Sequence, residues 1–97
     1  MPKAPQTFIA TVAELSRGLP GAETIHRDAA DWLREPWATE ARAVEVLAEG
    51  IRVLVAERIE DARVGGLVAL CVEAVAAGVI VDPHHAEFFA GAHPARN

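Results

Sequence analysis

The stretch from residue 36 to residue 62 constrains the fold most, because its apolar residues recur with the period of an α-helix. At about 100° per residue they fall on one stripe, while charged side chains gather on the opposite side. The stripe consists of Trp37, Ala41, Val44, Ala48, Ile51, Val55, Ile59 and Ala62, with Leu47 and Leu54 at one edge; the charged face consists of Arg42, Glu45, Glu49, Arg52 and Glu60. The pattern predicts one long amphipathic helix, stabilised mainly by burial of the stripe.

A helix of this length is long for a chain of 97 residues. At about 1.5 Å per residue it extends roughly 40 Å, whereas a compact domain of about 100 residues has a radius of gyration of about 13 Å. The helix therefore either bends at Gly50, its weakest helix former, or leans on a partner. Val46 and Val53 favour a partner, because they lie on the charged face, although single exposed valines are also ordinary.

Charge and composition exclude several classes of function. The chain is 52% apolar, which excludes intrinsic disorder, and its net charge is −5. Its nine basic residues never lie closer than five positions apart, so no basic run is available to bind nucleic-acid phosphates. The N-terminus lacks the apolar core of an export signal, so we expect a cytoplasmic protein. Abundant Ala, Val, Arg and Gly beside a single lysine are typical of a GC-rich bacterial or phage genome.

Local start and stop signals predict further helices on both sides of residues 36–62. Gly18, Leu19 and Pro20 form a helix stop, and Asp82 followed by Pro83 is typical of a helix start. We therefore predict an all-α fold, a small four- to five-helix bundle with a single domain over residues 1–97. In chain order the prediction has an extended lead over 1–6, helices over 8–17 (capped by Thr7), 22–34, 36–62, 64–80 and 83–91, and a frayed tail over 92–97.

The helix predicted over residues 64–80 is unusually apolar, since Glu73 is its one charged residue. Three interpretations are open: a helix buried on all sides by its neighbours or by a second copy, a membrane span, or a short strand at its end. Burial is favoured because the run is at the short limit for a span, and a charge near its centre is costly. We expect Gly65 and Gly66 to separate this helix from the long one, Glu73 to lie on an exposed strip, and Cys71 to be a buried structural thiol.

The sequence offers few side chains for chemistry, so we expect no enzymatic activity and no cofactor. It has one serine, one lysine, one cysteine and no tyrosine, and no phosphate-binding glycine loop. The best metal-ligand set is His84, His85, Glu87 and His93, with Asp82 as a further candidate, because imidazole and carboxylate groups bind metals. Their spacing is poor, since His84 and the adjacent His85 would point about 100° apart on a helix, and exposed first-turn residues are the simpler interpretation. A second polar cluster is interpreted as a solvated helix face: His26, Asp28 and Asp31.

We predict a small acidic module that binds another protein, as a regulator, an inhibitor or an assembly subunit. The prediction depends on the missing catalytic set, the missing basic patch, and more apolar helix than a monomer of this size would bury. A homodimer through the long helix and the apolar helix is the preferred way to bury that excess. The candidate partner-binding residues are Val46, Glu49, Val53, Glu57 and Glu60, whose carboxylates would steer a basic surface.

Two alternatives come from other classes of function. One is a metal-binding bundle that uses His84, Glu87 and His93. The other is a helix-turn-helix transcriptional regulator in which the helix over residues 36–62 contacts DNA. Glu40 and Glu45 count against the regulator, because they would face phosphates near the start of the recognition helix. We expect neither a nucleic acid nor a membrane as the partner.

Overall fold

The computed structural model describes residues 4–34 and 40–91, and these residues form five α-helices and no β-strand. The helices are α1 (Ala4–Ser16), α2 (Glu23–Arg34), α3 (Glu40–Ala56), α4 (Ala62–Ala76) and α5 (Pro83–Gly91). The predicted all-α bundle of four to five helices is therefore confirmed. The radius of gyration is 12.4 Å, and within the described ranges no helix is long and apolar enough to cross a bilayer.

Helix α1 begins before the predicted cap at Thr7. Residues 4–6 are already helical, so the predicted extended lead is wrong there, and residues 1–3 lie outside the described part. Pro5 fits the first turn, because N–H groups there have no intrahelical acceptor and proline lacks that donor. The predicted stop is confirmed, since Gly18 follows the helix with a φ of 70°.

Helix α3 ends at Ala56, so the single helix predicted over residues 36–62 is wrong at its C-terminal end. Arg58 adopts the left-handed conformation, with a φ of 58°, two residues after the helix ends. Asp61 then caps a new helix, because its side chain accepts a hydrogen bond from the first turn of α4. The predicted start over residues 36–39 lies outside the described residues.

The apolar period continues past the end of α3 because Ile59 reaches the core from a loop. Ile59 packs against the hydrophobic core although it is not helical. It contacts the turn between α1 and α2, where a Cβ on Gly21 would lie 2.9 Å from its Cδ1 atom. Periodicity alone cannot distinguish a helix from a loop that returns an apolar side chain to the same face.

Gly50 lies inside α3, which continues through it without interruption, so the helix does not break there. A Cβ at this position would be 2.9 Å from Cγ1 of Ile25, and the glycine therefore lets α2 approach α3 closely. Glycine in a helix interior costs about 1 kcal/mol relative to alanine. Burial of Ile25, which is 6% exposed, offsets this cost.

Helix α4 is apolar, but the single chain does not bury it on all sides. Val64, Leu67, Cys71 and Ala74 are buried, whereas Glu73 is exposed, as predicted. The predicted buried thiol is confirmed, and burial raises the pKa of Cys71 to about 12. A thiol with this pKa stays protonated at neutral pH and is a poor nucleophile.

The two glycines expected to precede α4 lie inside it instead. Gly65 and Gly66 belong to the first half of the helix, so the break predicted at these residues is wrong. The break falls at residues 57–61, where Asp61 supplies the cap. A Cβ on Gly66 would lie 3.6 Å from Leu15, so this position faces α1 at an ordinary van der Waals distance.

Helix α3 is central, because it packs against each of the other four helices. Helix α1 packs on α2, α3 and α4, and α5 packs on α3 and α4. The largest fully buried side chains come from α1, α3, α4, α5 and two of the connections between helices: Ile9, Val12, Leu19, Val44, Ile51, Leu54, Leu67, Cys71, Ile80 and Phe89. Ile80 precedes α5 and anchors the connection between α4 and α5 in the core.

The buried face of α3 is rotated relative to the predicted stripe. Leu47 and Leu54, predicted at its edge, are almost completely buried, whereas Ala41, predicted within it, is exposed. The rotation follows from the close approach of α2 at Gly50, which covers the side of α3 that carries the two leucines.

We predict a large effect on stability at one residue of α3 and almost none at its neighbour. Leu54→Ala should lower the free energy of unfolding by about 2–5 kcal/mol, because it leaves a cavity in the core. Val53→Ala should change it by less than about 0.5 kcal/mol, because Val53 is exposed and alanine is a better helix former. Chemical denaturation of both variants measures the difference. Equal losses would contradict the orientation assigned to α3.

We also predict that the Asp61 cap weakens in acid. The side-chain hydrogen bond from Arg63, and then the hydrogen bond from its backbone N–H, hold the pKa of Asp61 below its usual value. A lowered folded pKa gives stability that is present above the unfolded pKa of about 3.9 and is lost as pH falls through the folded value. Wild type should therefore exceed Asp61→Asn in stability at neutral pH, and denaturation at decreasing pH should show the difference shrinking below about pH 4. A difference independent of pH would contradict this assignment.

Candidate functional site

Three of the predicted partner-binding residues lie together, and two lie elsewhere. Val46, Val53 and Glu57 line a groove between α2 and α3 with a volume of about 330 Å³, which we name the α2–α3 groove. Glu49 lines a separate cleft on α3. Glu60 is exposed in the loop between α3 and α4. The structure therefore gathers the two valines and one of the three candidate carboxylates.

The α2–α3 groove has an apolar floor and acidic groups at its rim. Gly50 and the Ile25 side chain packed against it form the floor between Val46 and Val53, and these valines are 43% and 47% exposed. Asp28 and Glu57 supply carboxylates, and in the described part of the chain no basic side chain lines the groove. The complete lining is Gly21, Thr24, Ile25, Asp28, Val46, Leu47, Gly50, Val53, Leu54 and Glu57.

A second depression, the polar cleft, lies where residues 81–85 pack against α3. It is open to solvent and has a volume of about 630 Å³. It collects acidic and basic groups, among them side chains from the face of α3 that the sequence predicts to be charged and solvated. Its lining is Ala41, Arg42, Glu45, Val46, Glu49, Arg52, Val81, Asp82, His84 and His85.

Glu45 joins α3 to the start of α5. Its Oε2 atom accepts hydrogen bonds from the backbone N–H groups of Val81, at 2.9 Å, and Asp82, at 3.3 Å. Its Oε1 atom is buried and has no hydrogen-bond partner among the described residues. One carboxylate oxygen thus fixes the segment before α5, while the other is shielded from solvent and unsatisfied.

Arg52 and His85 form the inner part of the cleft. His85 is 7% exposed, and its Nδ1 atom lies 3.2 Å from Nη1 of Arg52. Because a guanidinium can only donate, Nδ1 accepts this hydrogen bond and carries the lone pair of the imidazole. The same guanidinium lies 3.7 Å from Glu49 and 4.9 Å from the ring centroid of Phe88. Arg52 therefore has three partners on two helices.

Asp82 caps α5, as predicted. Its Oδ1 atom accepts a hydrogen bond from the backbone N–H of His84 at 2.8 Å. This hydrogen bond, supported by one from the backbone N–H of His85, keeps the pKa of Asp82 below its usual value. Asp82 is therefore a carboxylate at neutral pH, next to the buried imidazole of His85.

The structure brings together only part of the metal-ligand set predicted from the sequence. His84 and Glu87 are both exposed, and His93 lies outside the described residues, so a site formed by these three stays a prediction. Ligand atoms of Asp82 and His85, both from the predicted set, lie within 4.8 Å of each other and of a ligand atom of Glu45, which that set did not include. Sequence spacing did not indicate Glu45, because it comes from another helix. The interpretation as exposed first-turn residues is wrong for His85, whose four-residue spacing from Phe89 places both on the buried face of α5.

The second polar cluster predicted from the sequence is only partly solvated. His26 is half-buried, and its Nδ1 atom lies 3.0 Å from the carbonyl oxygen of Ala13, to which it donates. It also lies 3.4 Å from the hydroxyl of Ser16. Asp31 is exposed and pairs with Arg34. His26 thus fastens α2 to α1, which makes it a structural residue.

Comparison with known protein families, curated proteins and solved structures finds no match to this chain. Its functional interpretation therefore depends on the α2–α3 groove and the polar cleft.

We predict that Glu45 stabilises the start of α5 through its hydrogen bonds. Glu45→Ala should lower the free energy of unfolding by about 1–3 kcal/mol, because the N–H groups of Val81 and Asp82 lose their acceptor. Glu45→Gln should cost less, because its amide oxygen can replace Oε2. Denaturation curves measure the loss, and amide exchange at Val81 and Asp82 localises it. Equal losses in the two variants would contradict the role of these hydrogen bonds.

Proposed function

We propose that this protein is a small acidic interaction module that binds another protein through the α2–α3 groove, as a regulator, an inhibitor or an assembly subunit. The observation that carries the proposal is the arrangement of Val46 and Val53 around Gly50. Two exposed valines on either side of a glycine form a depression in which an apolar side chain of a partner loses contact with water. The cytoplasm, inferred from the sequence, stays the predicted compartment.

The shape of the groove favours a few anchoring side chains over a large flat interface. Its volume of about 330 Å³ is at the lower end of the range for binding pockets. In protein interfaces, a few buried anchors carry most of the binding free energy, while the surrounding contacts exclude water. An amphipathic helix or strand with one or two apolar side chains fits this pattern.

The charges around the groove favour a basic partner. Glu57 and Asp28 lie at the groove, although Asp28 also lies 3.5 Å from Nη2 of Arg27. The chain carries a net charge of −5, so its long-range field attracts cationic surfaces. Complementary charge raises the association rate and selects among partners. The same acidic groups would repel nucleic-acid phosphates, which favours a protein over DNA.

The homodimer predicted from the sequence is a second possible occupant of the groove. Self-association about a two-fold axis pairs each surface with its own copy. The acidic groups of the α2–α3 groove would then approach one another, which opposes association unless basic groups intervene. A basic partner is therefore the better electrostatic match.

We expect an amphipathic helical peptide of leucine and lysine to bind the α2–α3 groove. In titrations followed by NMR, the amides of Val46, Gly50, Val53 and Glu57 should shift most. Val53→Asp should weaken binding by at least about tenfold, because it places a charge at the apolar anchor. Val53→Asp also adds negative charge, which by itself would strengthen attraction to the cationic peptide. Weaker binding would therefore show that the apolar contact, and not charge attraction alone, holds the peptide.

Leu33→Asp is the matched control. Leu33 is 45% exposed on α2 but does not line the groove, and the variant adds the same charge. It should change the peptide affinity by less than about twofold. Equal effects of the two variants, or shifts spread over the whole acidic surface, would contradict the proposal. A dimeric mass in light scattering, lost in Val53→Asp but kept in Leu33→Asp, would assign the groove to a second copy instead.

A further inference from the structure

We propose that Glu45, Asp82 and His85 form a binding site for a divalent cation of the zinc class at the polar cleft. Their ligand atoms lie within 4.8 Å of one another, although the three residues come from α3, from the cap of α5 and from α5 itself. In a tetrahedral zinc site with ligands at 2.0–2.2 Å, the ligand atoms are about 3.4 Å apart. Small side-chain rotations can supply this contraction, so the fold itself need not change.

The buried Oε1 atom of Glu45 is the second, independent observation. The backbone N–H groups of Val81 and Asp82 occupy Oε2 and fix the carboxylate in place. Oε1 is shielded from solvent and has no hydrogen-bond partner in the described part of the chain. A buried carboxylate oxygen without a partner is costly, and a bound cation removes that cost. Glu45 is therefore a pre-oriented ligand with one free oxygen.

The donor types select the class of cation. One imidazole with two carboxylates suits borderline cations such as Zn²⁺, whereas Mg²⁺ and Ca²⁺ prefer oxygen ligands alone. Three protein ligands leave a further coordination position, which water from the open cleft can fill. Glu49 adds negative charge, because its Oε1 atom lies 3.8 Å from Nδ1 of His85.

Arg52 is the competitor for this site. Its guanidinium donates to the Nδ1 lone pair of His85 at 3.2 Å, the lone pair that a metal would use. A cation at Nδ1 therefore displaces this hydrogen bond, while Arg52 keeps its contacts with Glu49 and Phe88. Removing the guanidinium should strengthen metal binding, since it removes both a competing donor and a nearby positive charge.

Calorimetric titration of the untagged full chain with zinc chloride tests the site. Wild type should bind one zinc ion per chain, and zinc should raise its melting temperature. Glu45→Gln and His85→Gln should each weaken binding by at least about tenfold, whereas Arg52→Met should strengthen it by about threefold or more. Glu45→Gln retains an acceptor for Val81 and Asp82, so it keeps the test decisive if His85→Gln does not fold. Circular dichroism checks the fold of each variant.

Glu87→Gln is the matched control for Glu45→Gln, because Glu87 is an exposed glutamate of α5 that does not line the polar cleft. It should change zinc affinity by less than about twofold. Absence of zinc binding by wild type at submillimolar concentration would overturn the proposal. Binding that survives Glu45→Gln but is lost in Glu87→Gln would also overturn it, and so would magnesium binding as tight as zinc binding. Peptide binding at the α2–α3 groove is measured separately, so either proposal can fail without the other.

Discussion

The contact between Ile25 and the backbone of α3 at Gly50 is the interaction on which the rest of the structure depends. It sets the distance between α2 and α3, because a Cβ at Gly50 would approach Ile25 to 2.9 Å. It also rotates α3 so that Leu47 and Leu54 face the core. Gly50 and Ile25 together line the depression between Val46 and Val53. One glycine therefore provides close helix packing and the floor of a candidate binding surface.

The packing on the other sides of α3 explains how this one helix can organise the whole domain. One side is buried among α1, α2 and α4, and another forms the α2–α3 groove. The third side carries Glu45 and Arg52, and residues 81–89 cover it through polar contacts. A charged face can be packed in this way when its groups are satisfied by specific partners, because unpaired buried charges are costly. The exception is Oε1 of Glu45, which has no hydrogen-bond partner among the described residues. This unsatisfied oxygen is the reason that we infer a bound cation.

Local signals in the sequence predicted what local physics determines. The stop around Gly18, the cap at Asp82 and the buried thiol of Cys71 follow from residue type and immediate neighbours, and all are confirmed. The prediction that this helix continues to residue 62 was wrong, because Ile59 keeps the apolar period although the backbone has already left the helix.

The polar cleft depends on contacts between distant residues, which no local pattern encodes. Glu45 and Arg52 have the spacing of a solvated face, and only the packing of α5 gives them buried partners. For the α2–α3 groove, the sequence indicated its two valines but not its floor. Gly50 was interpreted as a weak point of the helix, and its role becomes visible only with Ile25 in place.

The case for a protein partner now depends more on how the exposed apolar side chains are arranged than on how much apolar surface is exposed. From the sequence we expected more apolar helix than one chain can hide, yet in the described part only four large apolar side chains are well exposed: Leu33, Val46, Val53 and Val81. Scattered exposed side chains of this number are ordinary for a monomer. Two of the four, however, flank the same concave surface beside carboxylates, and a concave apolar surface binds far better than a flat one of equal area. Val46 also lines the polar cleft, so a metal ion there would lie next to the partner surface and reduce its negative field.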